Sequence, residues 1–249
     1  ANTQRKGLRI LQMGGTNLYY INEPFIYTAF EHGYPVRSFE VGVSNINYRE
    51  LHQIPDVLKH AILTSEDGQF YQHRGLREDA FARAISTNLK QKRFAQGGST
   101  ISMQLVKNVF LSRNKTITRK LEEILLVWLI ENCGITSKDR MFEVYLNIIE
   151  MAPMVYGVND AAQFYFNKDV SKINLVESIF LSSIIPRPKW FKYSFQKDGS
   201  LKEYLIPHFK FVSRKMLERQ YITAEQHDAL QPVIELKGPA RLQVLPTDT

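Results

Sequence analysis

This sequence of 249 residues predicts a mainly α fold, and three observations carry that expectation. Apolar residues recur at helical spacing in several stretches, two capping boxes mark helix starts in the last third of the chain, and only one short run alternates like a strand. With 44% apolar and 12% aromatic residues the chain can build a sizeable core, which argues against disorder. Its 13 Gly and 10 Pro argue against a collagen-like or Pro-rich linker protein.

Residues 1–50 are the least legible, with a weak strand signal where Phe39, Val41 and Val43 alternate with Glu40 and Gly42. After Pro55 a helix is expected, with Val57, Leu58, Ala61, Ile62 and Ser65 on one face. The basic, polar stretch 88–98 ends in Gly97-Gly98 and reads as a mobile loop. Ser99 is expected to cap a helix running to about Leu111. In the clearest helix, about 118–132, Leu121, Ile124, Leu125, Trp128 and Leu129 form the stripe expected to face a core. A helix over about 138–150 is expected to bury Phe142, Tyr145, Leu146 and Ile149. Asn174 with Glu177 opens a helix that Pro186 and Pro188 stop, another helix covers about 203–220, and Thr223 with Gln226 opens a short final one.

Charge narrows the partners only in part. The excess of 32 basic over 25 acidic residues, +7, favours an anionic partner, whether nucleic acid, lipid headgroups or a phosphorylated substrate. One cysteine, Cys133, excludes an internal disulfide and a cysteine-based zinc site. The densest apolar run, 124–130, is far shorter than the roughly 20 residues of a spanning helix. No signal peptide is read either, and the compartment stays open, since an anchor preceding Ala1 would be invisible here.

Four segments carry chemistry. Glu66-Asp67 stands at the expected end of a helix, followed by Phe70, His73 and Gly75. A carboxylate there can act as a general base, or the pair can simply solvate a helix end. Gly97-Gly98-Ser99-Thr100 leads into a helix carrying Gln104, Lys107 and Asn108. Thr100, Gln104 and Lys107 share a face there, and a helix N-terminus offers free N–H groups to an anion. The lysine spacing is not that of a Walker loop. Arg119-Lys120 and Glu123 open the next helix, where cations oppose the macrodipole. Glu143, Asn147 and Glu150 fall at i, i+4 and i+7, as a functional face or a merely solvated one.

Taken together and in order, these segments resemble the peptidoglycan glycosyltransferases, family 51 of the glycosyltransferases. The motifs are Glu66-Asp67-x-x-Phe70-x-x-His73-x-Gly75, Gly97-Gly98-Ser99-Thr100-Ile101 through Gln104 to Lys107-Asn108, and Arg119-Lys120-x-x-Glu123. Glu143-Val-Tyr145-Leu146-Asn147, Tyr156-Gly157-Val158 and an apolar helix ending at Pro186 complete them. The resemblance runs over about 46–192 within a domain expected at 46–249, after an N-terminal extension, 1–45, of unknown role. Asn147-x-x-Glu150 looks closer to the monofunctional branch than to the bifunctional penicillin-binding proteins. Met103 and Ser102 depart from a usual Gln and Thr, and Ala152 and Met154 from usual glycines. Ser112-x-x-Lys115 matches a transpeptidase spacing but lacks its Lys-Thr-Gly partner and reads as coincidence.

The resemblance implies a lysozyme-like fold, with a larger helical lobe and a smaller jaw around a long cleft, and the basic, polar composition of 88–96 leads to the expectation that this loop lies over it. It implies polymerisation of lipid II into β-1,4 glycan strands, with inversion at the MurNAc C1 and release of undecaprenyl pyrophosphate. Glu66 is then the base and Glu143 the second catalytic acid, positioning cations or a divalent ion. Gly98, Ser99, Thr100, Gln104, Lys107, Asn108, Arg119, Lys120 and Asn147 bind substrate or pyrophosphate. Asp67, Phe70, His73, Glu123 and Glu150 support them. No cofactor is required, with Mg or Mn as an option. Expected partners are lipid II, the nascent glycan, a membrane surface and cell-wall synthesis proteins, without nucleic acid. The expected place is the extracytoplasmic face of the bacterial inner membrane, the anchor not being present in this chain. A lysozyme-like hydrolase and a non-catalytic glycan- or lipid II-binding module remain as alternatives.

Overall fold

A computed structural model of the chain describes residues 17–75, 99–111 and 117–245, without the side chains of 117–119 and 121. The 88–96 loop, Gly98, the Arg119 side chain and the Ser112-x-x-Lys115 match lie outside the described residues. The fold is mainly α, with two small two-stranded sheets among the described residues. It divides into two compact units, the first drawn from Ala1–Gly42 and Tyr71–Val144, the second from Val43–Phe70 and Tyr145–Thr249.

In the first unit the weak strand signal becomes a hairpin of β1 (Phe25–Glu31) and β2 (Tyr34–Val41). Its two-residue turn, His32-Gly33, has positive φ at both positions, the geometry that matches strand twist. Val43 lies beyond the strand. Ahead of it Tyr20 packs edge-on against Phe25 and donates its hydroxyl to Val109 O at 3.1 Å. Burial pushes that phenol up to about 12.

Helix α2 (Ile101–Val109) is capped by Thr100, not by Ser99. Thr100 holds the extended backbone of an N-cap and its hydroxyl accepts from Met103 N at 3.2 Å. Helix α3 (Ile117–Asn132) corrects a second expectation. Leu125 and Trp128 are 57% and 50% exposed, and the inward residues are Glu123, Val127 and Ile130. The carboxylates on that inward side are paired. Glu123 meets Lys120 at 2.6 Å, while Glu131 accepts from Ser102 at 2.5 Å and from Lys138 at 2.8 Å. Partnered in this way, both acids tolerate burial, so apolar spacing alone points to the wrong side.

Helix α4 (Lys138–Ile148) begins in the first unit and ends in the second, and is buried nearly all round. Phe142, Tyr145, Leu146 and Ile149 are buried as expected, together with Met141, Val144 and Ile148.

The second unit holds α1 (Asp56–Glu66), which packs against α6 (Leu175–Ile184) and α7 (Ile206–Glu218). Both capping boxes form, Asn174 with Glu177 on α6 and Thr223 with Gln226 on α8 (Ala224–Asp228). Strands β3 (Glu150–Ala152) and β4 (Val155–Tyr156) make a tiny hairpin leading into α5 (Val158–Phe166). Glu150 therefore lies on a strand rather than on the α4 face. The core is aromatic: Tyr165 meets Phe180 at 5.2 Å and Phe191 at 5.5 Å. A last helix, α9 (Ala240–Val244), follows a segment whose Lys237 and Gly238 amides donate to Tyr165 O.

Candidate active site

Within the second unit the acidic motif ends α1. Four apolar residues of that helix, Leu58, Ala61, Ile62 and Leu63, are buried and fix its rotation. Asp67 leaves helical geometry, its carbonyl accepts from Phe70 N at 3.0 Å, and the Phe70 ring is fully buried below the turn. Glu66 is half-buried, whereas Asp67 is only 2% exposed. Ser65 Oγ donates to Glu66 Oε1 at 3.4 Å. From α4 comes Tyr145, a residue of the motif to which the sequence assigns no role. Burial, and then the charges of Glu66 and Asp67, push its phenol well above the ordinary value of 10.0. A protonated hydroxyl thus lies near both carboxylates.

Asn147, also on α4, faces backbone. Its Oδ1 accepts from Arg49 N at 2.9 Å and its Nδ2 donates to Arg49 O at 2.8 Å. The Arg49 guanidinium in turn reaches Asp169 at 2.5 Å. Burial would raise the Asp169 carboxyl, but its hydrogen bonds from Arg49 and Ser171 hold it down to about 2. Gly157, at φ +86, donates to Ile149 O, and a Cβ there would stand 2.6 Å from Asn147 O. Only glycine fits both its backbone angle and that approach. Glu150 has Lys189 Nζ at 3.7 Å. Of the departures from the family pattern, Ala152 is fully buried and Met154 adopts φ +65.

Within the first unit the basic residues are organised by α2 and α3. Lys120 Nζ bridges Glu123 Oε1 and Ser99 Oγ, the latter at 3.3 Å, which joins the starts of both helices. That pairing accounts for one of the cations at the N-terminus of α3. The Thr100 hydroxyl donates to Gly75 O at 2.7 Å, and Gly75 N donates to His73 Nδ1 at 3.0 Å. Thr100 is buried, so it does not share an open face with Gln104 and Lys107. Lys107 is exposed, Gln104 and Asn108 are half-buried, and Met103 points into the core. Glu143 accepts from Arg140 Nη1 at 2.5 Å, while Arg140 also donates to Ile21 O and Glu23 O. Arg140 and Arg49 went unread in the sequence. The first stands three residues before Glu143 and could have been paired by spacing, whereas the second meets partners with no sequence signal.

A divalent ion at Glu143 would have to displace Arg140. Among the described residues no three His, Cys, Asp or Glu side chains gather as a metal site. The described residues around Glu143 do not fit a resident divalent ion.

The profile of the transglycosylase family matches residues 33–216. A biosynthetic peptidoglycan transglycosylase of Nitrosomonas eutropha is 42% identical over 154 residues, 62% of this chain and 62% of that protein. One of the same description from Paraburkholderia phytofirmans is 37% identical over 164 residues, 66% of this chain and 65% of the relative. Penicillin-binding protein 1A of Neisseria lactamica is 36% identical over 192 residues, 76% of this chain but 23% of the larger protein. The chain thus spans less than two thirds of the length of the first two relatives. Because the matched span takes in the acidic turn of α1, Lys107 of α2, the basic start of α3 and the α4 motif alike, the chain belongs to the transglycosylase family.

Proposed function

We propose that this protein is a peptidoglycan glycosyltransferase that polymerises lipid II into β-1,4 glycan strands. The observation that carries the reading is the Glu66–Asp67 pair, set beside the buried Tyr145 phenol at the end of α1 in a chain of this family. Glu66, the more accessible carboxylate, takes the proton of the acceptor GlcNAc 4-hydroxyl. The oxygen attacks C1 of the donor MurNAc with inversion, and undecaprenyl pyrophosphate departs. Asp67, Phe70 and Tyr145 fix Glu66 in place. Charge growing on the leaving group is met by Lys107, Arg119 and Lys120, since fixed cations act most strongly where charge develops. Glu123 orients Lys120, and Glu143 pairs with Arg140. Gly98, Ser99, Gln104 and Asn108 are assigned to binding the pyrophosphate. Thr100, His73, Asn147 and Glu150 serve by holding the turns around them.

The lipid-borne substrate sets the location, at the extracytoplasmic face of the inner membrane, with the nascent glycan and cell-wall synthesis proteins as partners. Among the described residues no helix is long and apolar enough to cross a membrane. The exposed Leu125 and Trp128 on α3 and the net charge of +7 suit contact with an anionic membrane surface. Incubation with labelled lipid II and a glycan-length gel tests the reaction. Strands that lengthen with time are expected in the wild type and absent in Glu66→Gln, and cleavage of finished glycan without growth would refute it.

A further inference from the structure

The family match stops at residue 216, yet the chain just beyond it grips the helix that ends at Glu66. Arg219 and Tyr221 follow α7 within the second unit. Arg219 Nη1 donates to Thr64 Oγ1 at 3.3 Å, and Thr64 is buried. The same guanidinium covers Gly68, where a Cβ would come within 2.8 Å of Nη1 and 2.9 Å of Cζ. Any larger residue at 68 would unseat it. Thr64 stands two residues before Glu66 and Gly68 two residues after, so one side chain spans the segment that carries Glu66 and Asp67. A cation there also meets the negative end of the α1 dipole. One turn earlier, Tyr221 stacks on His60 with centroids 3.7 Å apart and planes at 9°.

We propose that Arg219 is a positioning residue for the Glu66–Asp67 carboxylates, acting through Thr64 and Gly68, while Tyr221 only braces α1. The inference rests on the reading of Glu66 as the base. Misplacing a base is felt in the transition state, so turnover should fall with little change in KM.

The experiment measures kcat, KM and melting temperature with labelled lipid II for Arg219→Met, Arg219→Lys, Gly68→Ala, Tyr221→Leu and Glu66→Gln. Arg219→Met is expected to lower kcat about tenfold or more with KM within about twofold. Arg219→Lys should recover part of the loss, because it restores the charge but not the fork. Gly68→Ala should lower kcat like Arg219→Met while leaving the guanidinium on the chain. Tyr221→Leu should lower the melting temperature and keep kcat. A folded Arg219→Met with wild-type kcat overturns the proposal, as does a kcat loss equalled by Tyr221→Leu at the same loss in melting temperature. If Arg219→Met does not fold, wild-type kcat in both Arg219→Lys and Gly68→Ala overturns it. An active Glu66→Gln refutes the base itself, whereas an inactive Glu66→Gln beside a fully active Arg219→Met refutes only the role of Arg219.

Discussion

In the second unit Glu66 and Asp67 end α1 against a buried phenol, with Asp67 almost wholly shielded from water. In the first unit Lys107 is exposed, and Lys120 is already paired with Glu123 and Ser99. Under the proposed function, the difference separates two kinds of chemistry. Moving a proton needs a base whose place is fixed before the substrate arrives, and burial of its surroundings supplies that. In the proposed reaction, meeting a departing pyrophosphate needs charge that can reach it, which exposed Lys107 and the partly exposed Lys120, held by Glu123, would supply. Substitutions should therefore cost most in the first setting and be graded in the second.

Glu66→Gln sharpens that contrast most. Gln keeps the shape of the side chain but cannot take a proton at neutral pH, so turnover should fall by roughly 10²–10⁴, about 3–5 kcal/mol. Glycan-length gels with an unchanged melting curve check it, and retained polymerisation would refute the assignment of Glu66.

Gly157→Ala probes how rigidly the second unit is set. Its new methyl would meet Asn147 O at 2.6 Å with the backbone held at φ +86. A loss of about 2–3 kcal/mol is expected. Urea denaturation reads it, and wild-type stability would mean that the Gly157 approach to α4 is looser than described.

On the basic side, Lys107→Ala and Arg119→Ala should each lower kcat about tenfold, near 1.4 kcal/mol, with a smaller effect on acceptor binding. Steady-state kinetics on lipid II decides, and intact turnover in both would remove the pyrophosphate role from these residues.

Acid should loosen the second unit. Burial lowers both His60 and His208 below the ordinary 6.5, and Ser182 Oγ lies 3.0 Å from His208 Nε2. The unfolded chain then binds protons first as pH falls, so stability rises with pH and is lost on acidification below about 6.5. The loss levels off once both folded-state values are passed. Melts between pH 7.5 and 5 should show it, and His208→Gln should flatten the slope. Asp169 adds a separate loss only as pH falls from about 4 towards 2.

The smallest effect is expected at Met154, a side chain in the left-handed region at φ +65. Met154→Gly removes strain of about 1–2 kcal/mol but adds freedom to the unfolded chain, for a net gain of about 0.5 kcal/mol. A melting temperature that falls would show that the methionine side chain contributes more than its backbone costs.

Much of the site was legible because its motifs are local. Glu66-Asp67, Lys107, Lys120 and the Glu143–Asn147 helix occupy the elements that the sequence predicted for them. What each one touches was not legible. Asn147 looks from the sequence like a substrate ligand, yet its amide holds the main chain of Arg49, 98 residues away. Glu143 is read from the sequence as positioning cations or a divalent ion, and the cation it meets is Arg140, a residue that went unread in the sequence.

The positions of α1 to α4 and α6 to α8, both capping boxes and the stop before Pro186 followed from the sequence alone, since helical spacing and caps act within a few residues of chain, whereas α5 and α9 were not read. Between neighbouring Ser99 and Thr100 the cap went to the residue whose hydroxyl also reaches Gly75. The inward face of α3 went to the side whose carboxylates found Ser102, Lys120 and Lys138. Tyr145 gained its place beside Glu66 and Asp67 only when α4 was buried. Tertiary structure decided these points because each involves at least one partner distant in sequence, such as Gly75 for Thr100 and Ser102 for Glu131, and an unpartnered buried polar group is costly.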